Sequence, residues 1–193
     1  GTSMLVRLRL TTNPSRGRTP MAVIRSVIWD FNGTILDDVG LAAESISEVL
    51  RRRDLPTIDR DTHRRAFGFP VLDYYRRLGF DLENERHSDI SDEFHDVYQK
   101  GIDGCSLNPG IREALEDLQV AGISQFVLSA AEEELLVSWV NALGIRGFFE
   151  GVYGLPDRLA ATKEQRCRDL MADFGLDPSA TLFIGDTDHD VEV

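Results

Sequence analysis

Residues 22–29 read Ala-Val-Ile-Arg-Ser-Val-Ile-Trp and run directly into Asp30-Phe31-Asn32-Gly33-Thr34. A short β-branched run closed by a polar, glycine-containing turn predicts a buried strand that stops at Asp30. This junction constrains the fold more than any other feature. In open α/β sheets, ligands gather beyond the carboxyl ends of the strands, and Asp30 stands at such an end.

The rest of the chain supplies what a buried strand needs. Residues 39–105 have a helical texture, with amphipathic stretches around Leu41, Ser45 and Val49, then over 71–78 and 90–99. Pro56, Pro70 and residues 101–104 punctuate them, and this stretch holds no good strand candidate. After Asn108-Pro109-Gly110 the pattern alternates. Helices are predicted over 111–120, 132–143 and 162–174, and strands over 123–128, 148–153 and 181–184. Such alternation implies a Rossmann-like, doubly wound parallel sheet. Its core would comprise 21–38 and 105–193, with an α-helical cap inserted over 39–104. A hydrophobic share of 42% supports a sizeable core.

The formal net charge of −12 argues against nucleic acid or an anionic membrane surface as partner, since both call for clustered Lys and Arg. A small phosphate can still bind locally to a metal ion and backbone N–H groups. No apolar run approaches the roughly 18 residues of a membrane span. Cys105 and Cys167 lie far apart without metal-like spacing, so a reducing cytoplasm is expected. Residues 1–20 carry Arg7, Arg9, Arg16 and Arg18 and no acidic residue. They read as a flexible extension or tag, with Gly1-Thr2-Ser3 a cloning remnant and Met21 a natural start, rather than as a targeting segment.

Four polar features follow predicted strands or open predicted helices: Asp30 with Asn32 and Thr34, Ser129, Lys163, and Asp186 with Asp190. Strand ends share one edge of a doubly wound sheet, so these side chains could converge. Phosphoryl transfer needs a nucleophile, a cation, donors for the phosphoryl oxygens and a proton for the leaving group.

At this point the sequence resembles the haloacid dehalogenase (HAD) superfamily. Ile28-Trp29-Asp30-Phe31-Asn32-Gly33-Thr34 is similar to its first motif and Val127-Leu128-Ser129 to its second. Lys163 suits the third, and Ile184-Gly185-Asp186-Thr187-Asp188-His189-Asp190 the fourth. The inserted helices match the cap of the phosphoglycolate phosphatase-like branch. The resemblance implies a Mg²⁺-dependent phosphatase acting on a small phosphorylated metabolite through an aspartyl-phosphate on Asp30. It implies Mg²⁺ ligands in Asp30, Asp186 and the backbone carbonyl of Asn32, with Asp190 acting directly or through water. Ser129 and Lys163 would hold the phosphoryl oxygens, beside Ala130, Gly33 and Thr34. Asp188 reads as a solvated turn residue, and Asp37 as a helix cap near the entry to the inserted segment.

Asn32 departs from the pattern, because the family usually carries there a second Asp that protonates the leaving oxygen. An amide cannot exchange a proton in that way at neutral pH. Three readings stay open: a substrate with a good leaving group, a replacement acid from the cap or a water, or a phosphate-binding domain with little turnover. Asn32→Asp is expected to keep or raise activity. The turn over 66–70 is the candidate cap loop facing the site, with Arg65, Phe67 and Gly68 as substrate-contacting residues. A response-regulator receiver is disfavoured by the helical insertion and the Gly-Asp-x-x-x-Asp segment. The chain stops three residues after Asp190, where the family usually continues, so a truncated or smaller sheet is expected.

Overall fold

The computed structural model describes residues 23–68, 70–156, 162–187 and 190. The N-terminal extension, Met21 and Asp188 lie outside the described residues. A four-stranded sheet of order β3-β2-β1-β4, with β1 Ser26–Trp29, β2 Ser124–Glu132, β3 Gly151–Leu155 and β4 Thr181–Ile184, forms the centre. Every neighbouring pair in it is parallel. The chain winds outward from β1 through β2 to β3, then returns to place β4 on the other side of β1. That reversal makes the carboxyl ends of β1 and β4 a topological switch point, the usual ligand position in such sheets.

Both faces of the sheet are covered. On one, Val27, Trp29 and Val127 pack in a cluster with Ile111 and Leu115 of α5 Ile111–Val120 and with Leu136 and Val140 of α6 Glu133–Ala142. On the other, Ile28, Phe126 and Leu128 meet Cys167 and Leu170 of α7 Lys163–Asp173. Alternate residues of one strand therefore serve opposite faces, as a period of two requires.

Between β1 and α5 lie four helices: α1 Val39–Arg51, α2 Arg60–Ala66, α3 Val71–Leu78 and α4 His87–Gly101. They bury a cluster of their own, with Ile46, Val49 and Leu50 of α1 against Tyr74, Tyr75, Phe80 and Ile90. Among the described residues this segment holds no named strand. No described helix is long and apolar enough to cross a membrane.

The chain leaves the sheet and returns to it through one seam. Asp37 N–H donates to Ser106 O at 2.9 Å and Asn108 N–H to Ile35 O at 2.9 Å. The Asn108 side chain adds bonds from Nδ2 to the carbonyls of Gly33, Thr34 and Leu36 at 3.0, 2.9 and 3.2 Å.

Three strands differ from their predicted extents; β3 lies later than 148–153, running Gly151–Leu155 after a 3₁₀ turn at Arg146–Phe148. β1 is shorter than 22–29, beginning at Ser26. β2 runs on to Glu132 instead of ending at Leu128, with an irregularity in its pairing with β3 between those two residues. Extra residues on one strand relieve the ladder locally and re-aim side chains, which is a common device beside sites. Ser129 sits at the start of that irregularity.

Candidate active site

The loop after β1 is fixed by burial. Phe31 is fully buried and stacks on Trp139 of α6 with ring centroids 6.1 Å apart, which anchors the loop in the core. Gly33 has φ +75°, a region that disfavours other residues. A Cβ there would also collide with the Asp186 carboxylate. The glycine thus permits the loops after β1 and β4 to touch.

Asp30 continues the sheet by one bond, its N–H donating to Ile184 O at 2.8 Å. Its carboxylate is buried and takes a bond from Lys163 Nζ at 2.5 Å. Lys163 opens α7, whose N-cap Thr162 accepts from Gln165 N–H. The same ammonium donates to Asp190 Oδ1 at 2.6 Å. Asp190 is held in turn by the Thr187 N–H and hydroxyl at 3.0 and 2.7 Å. Asp30, Asp186 and Asp190 each offer an oxygen within 4.8 Å of the others.

The electrostatics follow from that crowding. Burial pushes the Asp30 carboxyl up to about 7; Lys163 opposes the shift, and the Asp190 and Asp186 charges add to it. Asp186 rises to about 6, through desolvation of its carboxyl end and the nearby Asp190 and Asp38 charges. The residue as a whole is exposed, and its shift is consistent because the carboxylate tip is the part pressed against Gly33. Burial lowers the Lys163 pKa, but the two carboxylates outweigh it and leave that pKa raised. Three convergent carboxylates make a hard-oxygen donor set that fits a divalent cation such as Mg²⁺.

On the far side of Asp30, Ser129 Oγ donates to Asn32 Oδ1 at 3.1 Å and accepts from Ala131 N–H at 3.0 Å. Ala130 lies exposed beside it. Thr34 is buried, its hydroxyl 3.5 Å from Asp186 Oδ1. The residues singled out in the core are therefore brought together at one sheet edge.

The cap residues are placed differently. Arg65 is exposed and bonds Thr62 within its own helix at 3.3 Å. The arginine within electrostatic reach of Asp186 is its neighbour Arg64. A helix turns about 100° per residue, so adjacent arginines face different directions and sequence alone does not choose between them. Phe67 stacks on His63 with centroids 5.3 Å apart, and Gly68 lies beside Arg77. Asp37 does not cap α1; it pairs with Arg60 at 2.7 Å. Asp38 holds the N-cap position, yet its side chain makes no capping bond. It turns instead to Asn32, Gly33 and Tyr98. Asp38, Tyr98 and Asn108 are site residues that sequence reasoning missed.

Known proteins share this architecture. A family model described as haloacid dehalogenase-like hydrolase matches residues 27–193. The phosphoglycolate phosphatase of Caulobacter vibrioides is 28% identical over 171 residues, covering 86% of this chain and 72% of that protein. A haloacid dehalogenase-like hydrolase from Streptococcus pneumoniae superposes with a TM-score of 0.73 at 22% identity, over 88% of this chain and 79% of that one. The protein tyrosine kinase A of Mycobacterium tuberculosis superposes with a TM-score of 0.75 at 23% identity, over 88% and 78%. At these identities the two structural likenesses bear on fold alone. One fold here carries two differently named chemistries, so the reaction has to be argued from the site.

Proposed function

Because this chain belongs to the haloacid dehalogenase-like hydrolases, we propose that it is a Mg²⁺-dependent phosphatase of a small phosphorylated metabolite. The observation that carries the reading is the buried Asp30 carboxylate at the switch point, bridged by Lys163 to Asp190 and grouped with Asp186. In this reading Asp30 attacks phosphorus. The new O–P bond forms as the bond to the leaving oxygen breaks, giving an aspartyl-phosphate that water then hydrolyses to phosphate and free Asp30. Lys163 and the Ser129 hydroxyl hold the phosphoryl oxygens, one as a charge and one as a donor. Asp30, Asp186 and Asp190, with the backbone carbonyl of Asn32, would hold a divalent cation, which would supply charge compensation for the phosphoryl group.

Asn32 gives the leaving oxygen no proton. Losing general-acid help costs about 10²–10⁴ in rate for a poor leaving group and far less for a good one. The reading therefore favours activated substrates, such as acyl phosphates. Arg64, near Asp186, favours one that carries a second anionic group. The relatives named phosphoglycolate phosphatase are consistent with a small acidic substrate. We place the protein in the cytoplasm, with the free thiols of Cys105 and Cys167 as support.

The test is hydrolysis of an acyl phosphate and an aryl phosphate by purified protein with Mg²⁺, beside Asp30→Asn. Turnover that depends on Mg²⁺ and vanishes in the variant is expected. No turnover above the variant across a broad phosphate panel would replace this reading with a second, a weakly active phosphate-binding domain. The fully hydrogen-bonded amide at position 32 is the observation that favours that alternative.

A further inference from the structure

Asn32 is paired in full. Its Nδ2 donates to Asp38 Oδ2 and to Tyr98 OH, each at 2.9 Å, and its Oδ1 accepts from Ser129 at 3.1 Å. Asp38 is the acceptor at the centre, since Gly33 N–H donates to its Oδ1 at 2.7 Å and the Tyr98 hydroxyl to its Oδ2. That settles the amide orientation: the NH₂ must face Asp38 and the carbonyl must face Ser129. Tyr98 has one hydroxyl proton, which goes to Asp38, so it can only accept from Asn32. Each bond in the network has a defined direction.

We propose that Asp38 and Tyr98 are positioning residues for the phosphate end of the site, and that Asn32 and Asp38 form a matched amide–carboxylate pair. The inference rests on the phosphoryl-transfer reading for its functional meaning, while the pairing itself stands on geometry. Ser129 Oγ is held between Ala131 N–H and Asn32 Oδ1, so whatever fixes the Asn32 amide fixes where this hydroxyl stands; its one proton, given to Asn32 here, turns to a phosphoryl oxygen when phosphate binds. Asp38 does this from the end of the β1 loop. Tyr98 does it from α4 in the inserted helical segment, where its buried ring stacks on Phe94 at 5.6 Å. A substitution that removes only the hydroxyl leaves that stacking in place.

The pairing also explains why the amide is required. A carboxylate at position 32 has no proton to donate to Asp38 or Tyr98. It would set a second carboxylate against the buried Asp38, with Lys163 engaged elsewhere. The expectation that Asn32→Asp keeps or raises activity is reversed by this arrangement. Position 32 can regain a carboxylate only if position 38 gives one up.

Four proteins decide the matter: wild type, Asn32→Asp, the swap Asn32→Asp with Asp38→Asn, and Tyr98→Phe. Two readouts are used, thermal unfolding of the metal-free protein and calorimetric titration with inorganic phosphate in Mg²⁺ buffer. Asn32→Asp is expected to lower the unfolding midpoint by about 5–10 °C or to prevent folding, and the swap to recover most of the loss. Tyr98→Phe is expected to weaken phosphate binding about tenfold while its midpoint stays within about 4 °C of wild type. A swap that melts no higher than Asn32→Asp, or fails to fold, overturns the pair. Wild-type phosphate affinity in Tyr98→Phe overturns the positioning role of Tyr98. The melting comparison needs no substrate, so a protein that passes it yet turns over nothing sinks the phosphatase reading alone.

Discussion

Loading the acidic cluster with Mg²⁺ should expel protons, and the carboxyl environments say how many. Asp30 sits at about 7 and Asp186 at about 6, each raised first by desolvation. Raised carboxyl pKa values mean that the metal-free protein still holds protons where ordinary aspartates have lost them. A hard cation takes ionised oxygens, so those protons leave as it binds. Treated as independent sites, Asp30 is about three-quarters protonated at pH 6.5 and Asp186 about one-quarter, which predicts release of about one proton per ion. At pH 8 the same arithmetic gives about a tenth of a proton. Affinity for Mg²⁺ should accordingly fall about 10²-fold between pH 8 and pH 5.5. Calorimetric titration in buffers of different ionisation enthalpy measures the proton number directly as a slope. Asp30→Asn should remove about three-quarters of it at pH 6.5. A slope of zero at that pH in the wild-type protein would refute the reasoning, because both carboxyls would then already be ionised.

Two further predictions concern the groups that hold the cluster together. Lys163→Met leaves the buried carboxylates of Asp30 and Asp190 without their bridging cation, and should cost about 3–5 kcal/mol in urea unfolding at pH 7.5. A loss below about 1 kcal/mol would show that the ammonium is not the main charge partner there. Gly33→Ala combines a positive φ with a methyl driven into the Asp186 carboxylate, so Mg²⁺ affinity should collapse. Far-UV circular dichroism should meanwhile stay that of the wild type, and unchanged affinity would count against the close approach of the two loops.

The architecture was legible wherever periodicity was strong. The helix over 111–120 and the strand over 181–184 coincide with α5 and β4. The far end of β2 was not legible, because residues 129–132 carry no β-branched signal and their pairing with β3 is irregular. In the site, Asp30, Ser129, Lys163, Asp186 and Asp190 were singled out because each closes a strand, opens a helix or follows a strand in a glycine-containing turn. Those are positions where topology alone brings distant residues to one edge. Tyr98 gave no such signal, since an aromatic residue at helical spacing reads as core. Its partner is 66 residues away in the chain. Asp38 was hidden behind Asp37, as Arg64 was behind Arg65: neighbouring residues of one type are told apart only by the direction each faces.

The Asn108 side chain has a consequence for how such a chain can diversify. Its two amide protons are shared among three carbonyls of the loop that carries Asp30 onward, and they close the excursion of helices at the point where it began. An insertion anchored at both ends in this way is insulated from its own length. Closing a flexible loop twice as long costs only about 0.6 kcal/mol more, and here the stitch is made by the core. The stitch leaves the outer helices α2 and α3 free to lengthen or shrink without disturbing the turn at Gly33, while α4 stays tied to it through Tyr98. The inserted helices and the loop that carries Asp30 are joined at a single asparagine.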